Sequence, residues 1–181
     1  MSNDRVMRDM LVSESEVSAI VDAPFEAVDI ADWVLNLPDA EYQRCAPGQH
    51  FAAGRTVTDD GLPMSINVEE VGGLVIQHYV AEVHEPSHCR MVSLSDVQMP
   101  GGWTKAQVIW DLRLEPIDDA RCRFINAVTV HPTQGFLDFL AEGGVRFEAV
   151  AAQQHAAIVA HNQLETPLYA ASIGRKAPAS K

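Results

Sequence analysis

Five polar side chains stand where chemistry would need them. Gln77 and Tyr79 share one side of an alternating stretch with Val75, Ala81 and Val83. A phenol in apolar surroundings can orient a ligand carbonyl or donate a proton. The competing reading is a core tyrosine with its hydroxyl at the rim. Asn126 interrupts the apolar series Cys122, Phe124, Val128, Val130. A buried amide must be satisfied, by a ligand or by a neighbouring side chain or water. His161 and Glu165 are four apart on a helical stretch and can pair. Such a pair is either an acid–base couple at a cavity mouth or a helix-end ion pair favoured by the helix dipole.

Other chemistries lack their residues. His155 and His161 are six apart, about 240° around a helix beyond one turn, so they do not share a face. His84 and His88 straddle a turn, and His78 and His84 lie about 20 Å apart along a strand. On these spacings no metal site is expected. Ser93 and Ser95, near Asp96 at a strand end, form no nucleophile elbow, and neither a phosphate loop nor a dinucleotide fingerprint occurs. Cys45, Cys89 and Cys122 are odd in number and widely spaced, which reads as buried reduced thiols. No cofactor is expected.

These residues need elements to hold them. An alternating strand over 14–21 ends at Asp22-Ala23-Pro24, where Asp22 can cap a helix over 25–35. Pro38 ends that helix, and a second short helix over 39–45 closes at Pro47-Gly48. Six strands follow, over 50–58, 64–71, 74–84, 89–97, 104–115 and 121–131. Asp59-Asp60-Gly61, Gly72-Gly73, Glu85-Pro86-Ser87, Pro100-Gly101-Gly102 and Pro116-Ile117-Asp118-Asp119 mark the turns between them. In 104–115 the residues Ala106, Val108, Trp110, Leu112 and Leu114 take one face, so one side of the sheet is buried. A helix from Thr133, broken at Gly143-Gly144 and ended by Thr166-Pro167, carries Phe136, Leu140, Phe147, Ala151, Gln154, Ile158 and Glu165 on one face. Leu168, Tyr169 and Ile173 follow in a tail able to pack back.

At 181 residues, 47% hydrophobic and 21% charged, the chain has the make-up of one globular domain, read here as 14–174 with loose ends at 1–13 and 175–181. A net charge of −12 argues against nucleic acid and anionic membrane as partners. No apolar run is long enough to span a bilayer, and residues 1–10 lack a signal-peptide core, so a cytoplasmic location is expected. No oligomeric state is legible.

The run Val17-Ser18-Ala19-Ile20-Val21-Asp22-Ala23-Pro24-Phe25-Glu26-Ala27-Val28 resembles the opening of the START/Bet v 1-like (SRPBCC) superfamily. Val108-Ile109-Trp110-Asp111-Leu112 is similar to its penultimate strand, and Pro100-Gly101-Gly102-Trp103-Thr104 to a segment of its aromatase/cyclases. Leu35-Asn36-Leu37-Pro38-Asp39 departs from the superfamily's tryptophan–proline pair. The resemblance implies an α+β helix-grip fold: a seven-stranded curved antiparallel sheet around a long C-terminal helix, with two short helices after the first strand. It also implies a cavity between sheet and helix. The low aromatic content, 7%, leaves that concavity room.

Three functions follow from these readings. The first is binding of a small apolar or aromatic molecule by Gln77, Tyr79, Val108, Trp110, Phe124, Asn126, Phe147, Gln154 and Ile158. The second is an aromatase/cyclase-like enzyme using Tyr79, His161 or Glu165 as acid–base. The third is a protein-interaction module with a filled core.

Overall fold

In the computed structural model, which describes residues 3–177, β1 (Ser13–Val21) is followed by a 3-10 turn (Phe25–Ala27), α1 (Ile30–Leu35) and α2 (Asp39–Cys45). Six further strands follow: β2 (His50–Val57), β3 (Pro63–Glu70), β4 (Leu74–Glu85), β5 (His88–Met99), β6 (Gly102–Asp118) and β7 (Arg121–Pro132). Then come α3 (Gln134–Glu142) and α4 (Phe147–Lys176). The strands form one antiparallel sheet in the order β1-β7-β6-β5-β4-β3-β2. The sheet curves around α4, which is the expected helix-grip arrangement.

Alternation sets which face looks inward. On β6, Ala106, Val108, Trp110, Leu112 and Leu114 are buried, and their neighbours from Lys105 to Arg113 are half-exposed. Pairing then aligns Trp110 with Met91 on β5 and Val128 on β7, and Leu112 with Asn126. In the β2–β3 hairpin His50 sits opposite Glu69, beside a register shift between His50 and Ala52. At the β3–β4 turn, Gly72 and Gly73 have φ of 67° and 144°, conformations that glycine adopts without a Cβ penalty. Gln154 of α4 donates from Nε2 to the Gly72 carbonyl at 3.0 Å. This bond ties the hairpin to the N-terminal third of α4.

The structure departs from the sequence reading at three places. The stretch over 25–35 is a 3-10 turn followed by α1, and the capping residue is Asp29, which accepts from the Asp32 N–H, rather than Asp22. The long helix does not stop at Thr166-Pro167: α4 passes through Pro167 to Lys176. The carbonyl that Pro167 leaves unbonded belongs to exposed Gln163, where water can take it. Beyond the proline, Tyr169, Ala170, Ser172 and Ile173 are all buried, and Trp33 donates its indole N–H to Ser172 Oγ at 3.2 Å. That packing outweighs the local penalty. The segment before β1 is also tied down. Met7 and Val12 donate to the carbonyls of Pro132 and Val130, and Gln134 and Gly135 donate to those of Arg5 and Asn3. Residues 1–2 and 178–181, read as part of the loose ends, lie outside the described residues.

The core gathers Trp33, Phe124 and Tyr169 between α1, the sheet and the end of α4, with Trp33 edge-on to both partners. Among the described residues no helix is long and apolar enough to cross a membrane.

Candidate functional site

Between the inner face of the sheet and α4 lies a partly open cavity with about 750 Å³ of empty space, counting the solvent at its mouth. Its long walls are apolar, with Val75, Val97, Val108, Val130, Phe136 and Ile158 among them. One end is polar, bounded by Glu69, Gln77, Tyr79, His161, Glu165 and Tyr169.

The polar end is built around two histidines. His50, the first residue of β2, stacks on Tyr42 of α2 with ring centroids 3.8 Å apart. Its Nδ1 lies 2.7 Å from the Tyr42 carbonyl, which only accepts, so Nδ1 carries the hydrogen. His161 Nδ1 lies 2.6 Å from Gln49 Oε1. The two Nε2 atoms therefore face each other, 3.2 Å apart. Glu165 Oε2 lies 3.2 Å from His50 Nε2 and 3.3 Å from His161 Nε2. Glu69 Oε2 lies 3.6 and 3.7 Å from the same two atoms.

A second layer fixes both carboxylates. Tyr42 donates its hydroxyl to Glu69 Oε2 at 2.7 Å, and Gln77 donates Nε2 to Glu69 Oε1 at 2.7 Å. Asn126 donates to Glu165 Oε1 at 2.9 Å and to Thr166 Oγ1 at 3.1 Å, and accepts from the Trp110 indole N–H at 2.8 Å. Asn162 extends the layer to Ser15 Oγ and the Asn126 carbonyl.

Burial and charge compete here. Burial alone would depress His161, but Glu165 and then Glu69 more than reverse it and lift the imidazole to about 9. Burial likewise opposes charge on Glu165, yet His161 and His50 hold its carboxyl at about 2. The phenols of Tyr79 and Tyr169 are pushed well above the ordinary tyrosine value, first by burial and then by Glu165 and Glu69. Both therefore stay protonated as donors. Neither hydroxyl hydrogen-bonds another of the described residues.

Of the residues singled out in the sequence, Gln77, Tyr79, Val108, Trp110, Gln154 and Ile158 line this cavity, as do His161 and Glu165. Three expected binding residues stand elsewhere. Phe124 is turned to Trp33, behind the cavity wall. Phe147 is half-buried at the start of α4, packed against the edge of the core. Asn126 is wholly buried and spends its amide on Trp110, Glu165 and Thr166. Its partners are thus neighbouring side chains. The pair His161–Glu165 is neither at a helix end nor at the mouth: both residues are buried in mid-helix because α4 continues beyond Pro167. Asp96, with Ser93 and Ser95, lies within β5 rather than at a strand end.

The sequence reading missed His50, Glu69, Tyr42 and Tyr169. Register alone pairs His50 with Glu69 across the β2–β3 hairpin, so that half was within reach. Nothing local joins His50 to His161, 111 positions away. The three cysteines are free and buried, as expected. Burial first, then nearby carboxylates, pushes the thiols of Cys45 and Cys89 up to about 12.

No family model matches the sequence, and no curated protein does. Solved structures are similar in fold. The Zhui aromatase/cyclase from Streptomyces sp. R1128 superposes with a TM-score of 0.65 at 14% identity, over 92% of this chain and 96% of that one. The di-domain aromatase/cyclase StfQ of the steffimycin biosynthetic pathway gives 0.59 at 14% identity, over 93% of this chain and 52% of that one. BexL, a di-domain aromatase/cyclase of the BE-7585A biosynthetic pathway, gives 0.52 at 13% identity, with 92% and 52% covered. The chain thus spans about half of each di-domain protein. At these identities the likeness is one of fold, and the fold is that of the SRPBCC proteins.

Proposed function

We propose that this SRPBCC-fold chain binds a small, largely apolar or aromatic molecule carrying a hydroxyl or carbonyl at one end. One observation carries the reading. An apolar slot ends at two buried phenols, Tyr79 and Tyr169, whose hydroxyls make no hydrogen bond to the described residues. Buried donors are normally paired. A ligand oxygen at that end satisfies them, while a flat aromatic or thin aliphatic body lies against Val108, Trp110 and Ile158.

A fluorescent apolar dye tests this. It is expected to bind saturably and to be displaced by phenolic or ketonic aromatics more strongly than by hydrocarbons of the same size. Tyr79→Phe should weaken the oxygenated competitors by about 2- to 13-fold, the value of one hydrogen bond of about 0.5–1.5 kcal/mol, and leave the hydrocarbons unchanged. Dye binding that does not saturate, or a loss equal for both competitor classes, refutes the reading. Native mass spectrometry of the purified chain identifies any tightly held molecule directly.

A second reading, an aromatase/cyclase-like enzyme, draws support from His161 and Glu165 at the cavity end, where a proton can pass between imidazole and an enolising carbonyl. The likeness in fold to the aromatase/cyclases supports it too. Its test is the product profile of a reactive polyketide chain with wild-type protein against His161→Gln. An unchanged profile rejects it.

A further inference from the structure

We infer that His50, His161 and Glu69 together hold a divalent transition-metal ion, zinc by the chemistry of the donors, with the Glu165 carboxylate beside it balancing charge. The inference does not depend on the ligand-binding reading.

The geometry comes first. His50 Nε2, His161 Nε2 and Glu69 Oε2 form a triangle with edges of 3.2, 3.6 and 3.7 Å. A point equidistant from its corners lies about 2.0 Å from each, the bond length of zinc to imidazole and carboxylate. Glu165 Oε2 lies 3.2 and 3.3 Å from the two Nε2 atoms but outside this group of three, so it balances charge beside the ion and leaves a fourth position open. All four side chains are buried.

The hydrogen count comes second. His50 Nδ1 donates to a backbone carbonyl and His161 Nδ1 to an amide oxygen. Each imidazole, if neutral, then presents a bare lone pair at Nε2. Two lone pairs and the Glu69 oxygen then converge on one small space. A single proton on one Nε2 can serve only one of these contacts, whereas one cation at the centre serves all three. A divalent ion balances the two carboxylates and leaves both imidazoles in the neutral form that ligation needs.

The surrounding layer comes third. Metal-bound imidazoles donate their other N–H to a carbonyl or carboxylate, and ligating carboxylates are themselves hydrogen-bonded. Here the Tyr42 carbonyl, Gln49, Gln77 and the Tyr42 hydroxyl fill those roles. Zinc imposes no d-electron geometry, so it tolerates the unequal edges. Because Glu69, His161 and Glu165 also line the cavity, the ion faces the polar end of the slot, where a ligand oxygen arrives. An ion here occupies the lone pair that the acid–base reading needs from His161, so the two readings of that residue exclude each other.

The test uses the full chain. Protein purified without chelators is expected to carry close to one zinc per chain by plasma mass spectrometry. After stripping, added Co²⁺ should give a visible absorption band typical of four-coordinate cobalt and raise the melting temperature. His50→Gln and His161→Gln should each lose the band and weaken Co²⁺ binding by more than about 100-fold, and the milder Gln77→Ala by about 10- to 100-fold through loss of support for Glu69. Glu69→Gln, which keeps volume, covers the case in which a histidine variant fails to fold. His78→Ala, on an exposed pair with Asp96, should bind Co²⁺ like the wild type. Wild-type protein with no bound metal, no cobalt band and no thermal shift under excess Co²⁺ overturns the inference, as does undiminished Co²⁺ binding by both histidine variants. Saturable binding of the apolar dye in folded His50→Gln, whose imidazole does not line the cavity, separates failure of the metal site from failure of the ligand reading.

Discussion

Replacing Asn126 with alanine removes one side chain from the centre of the polar layer and strands two groups at once. Asn126 is wholly buried. Its oxygen accepts from the Trp110 indole at 2.8 Å, and its nitrogen donates to the Glu165 carboxylate at 2.9 Å. An unpaired neutral donor in the interior costs about 1–3 kcal/mol, and a lost hydrogen bond to a charged group about 1.5–3 kcal/mol. The sum is about 2.5–6 kcal/mol, reduced where a water from the adjoining cavity replaces the amide. For a chain of this size each kcal/mol moves the melting temperature by about 2–4 °C, so Asn126→Ala should melt roughly 5–24 °C lower. Urea unfolding followed by circular dichroism gives the free energy, and a thermal scan gives the shift. Trp110→Phe closes a double-mutant cycle, with an expected coupling of about 0.5–3 kcal/mol, because these two side chains share a buried bond. A loss under 1 kcal/mol together with an additive cycle would refute the claim that Asn126 organises the site, and would mean that water does its work.

Other perturbations probe separate parts of the fold. Ile158→Trp, from α4 into the slot, should abolish dye binding while lowering stability by no more than about 1–3 kcal/mol, the range for overpacking. Retained dye affinity in that variant would mean the dye binds elsewhere. Gly73→Ala should destabilise by about 2–4 kcal/mol in urea, because its φ of 144° suits glycine and an added Cβ would meet the Gln98 carbonyl oxygen. A change within 0.5 kcal/mol would show that the turn can relax. Thiol labelling at pH 8 should be negligible in the native state and complete in guanidinium. Cys45 and Cys89, pushed up to about 12, hold only about one thiolate in ten thousand there. Rapid native labelling would contradict their burial.

Local pattern made much of this protein legible. Alternation and turn residues place the six later strands to within a few residues, since a sheet wet on one face writes its period of two into the sequence. Asp39–Cys45 and the break at Gly143-Gly144 are as legible, because proline and glycine act on the backbone where they stand. The inner-face positions of Gln77, Tyr79 and Trp110 follow from that alternation. Pro167 misleads for the same reason: its effect is local, whereas the burial of Tyr169 and Ile173 that carries α4 past it belongs to the whole fold.

The histidine–carboxylate cluster is a product of tertiary structure alone. Spacing rules find metal or acid–base pairs that share one helix or strand, and they find His161 with Glu165. They cannot find His50, because it reaches His161 only when the β2–β3 hairpin closes over α4 at the far end of the chain. The sequence by itself determined the elements, their order and which face of each is apolar, since those properties are set by neighbours a few residues away. Which polar side chains meet inside was decided by the curvature of the sheet and the length of α4, because contact between residues 111 positions apart depends on every element packed between them.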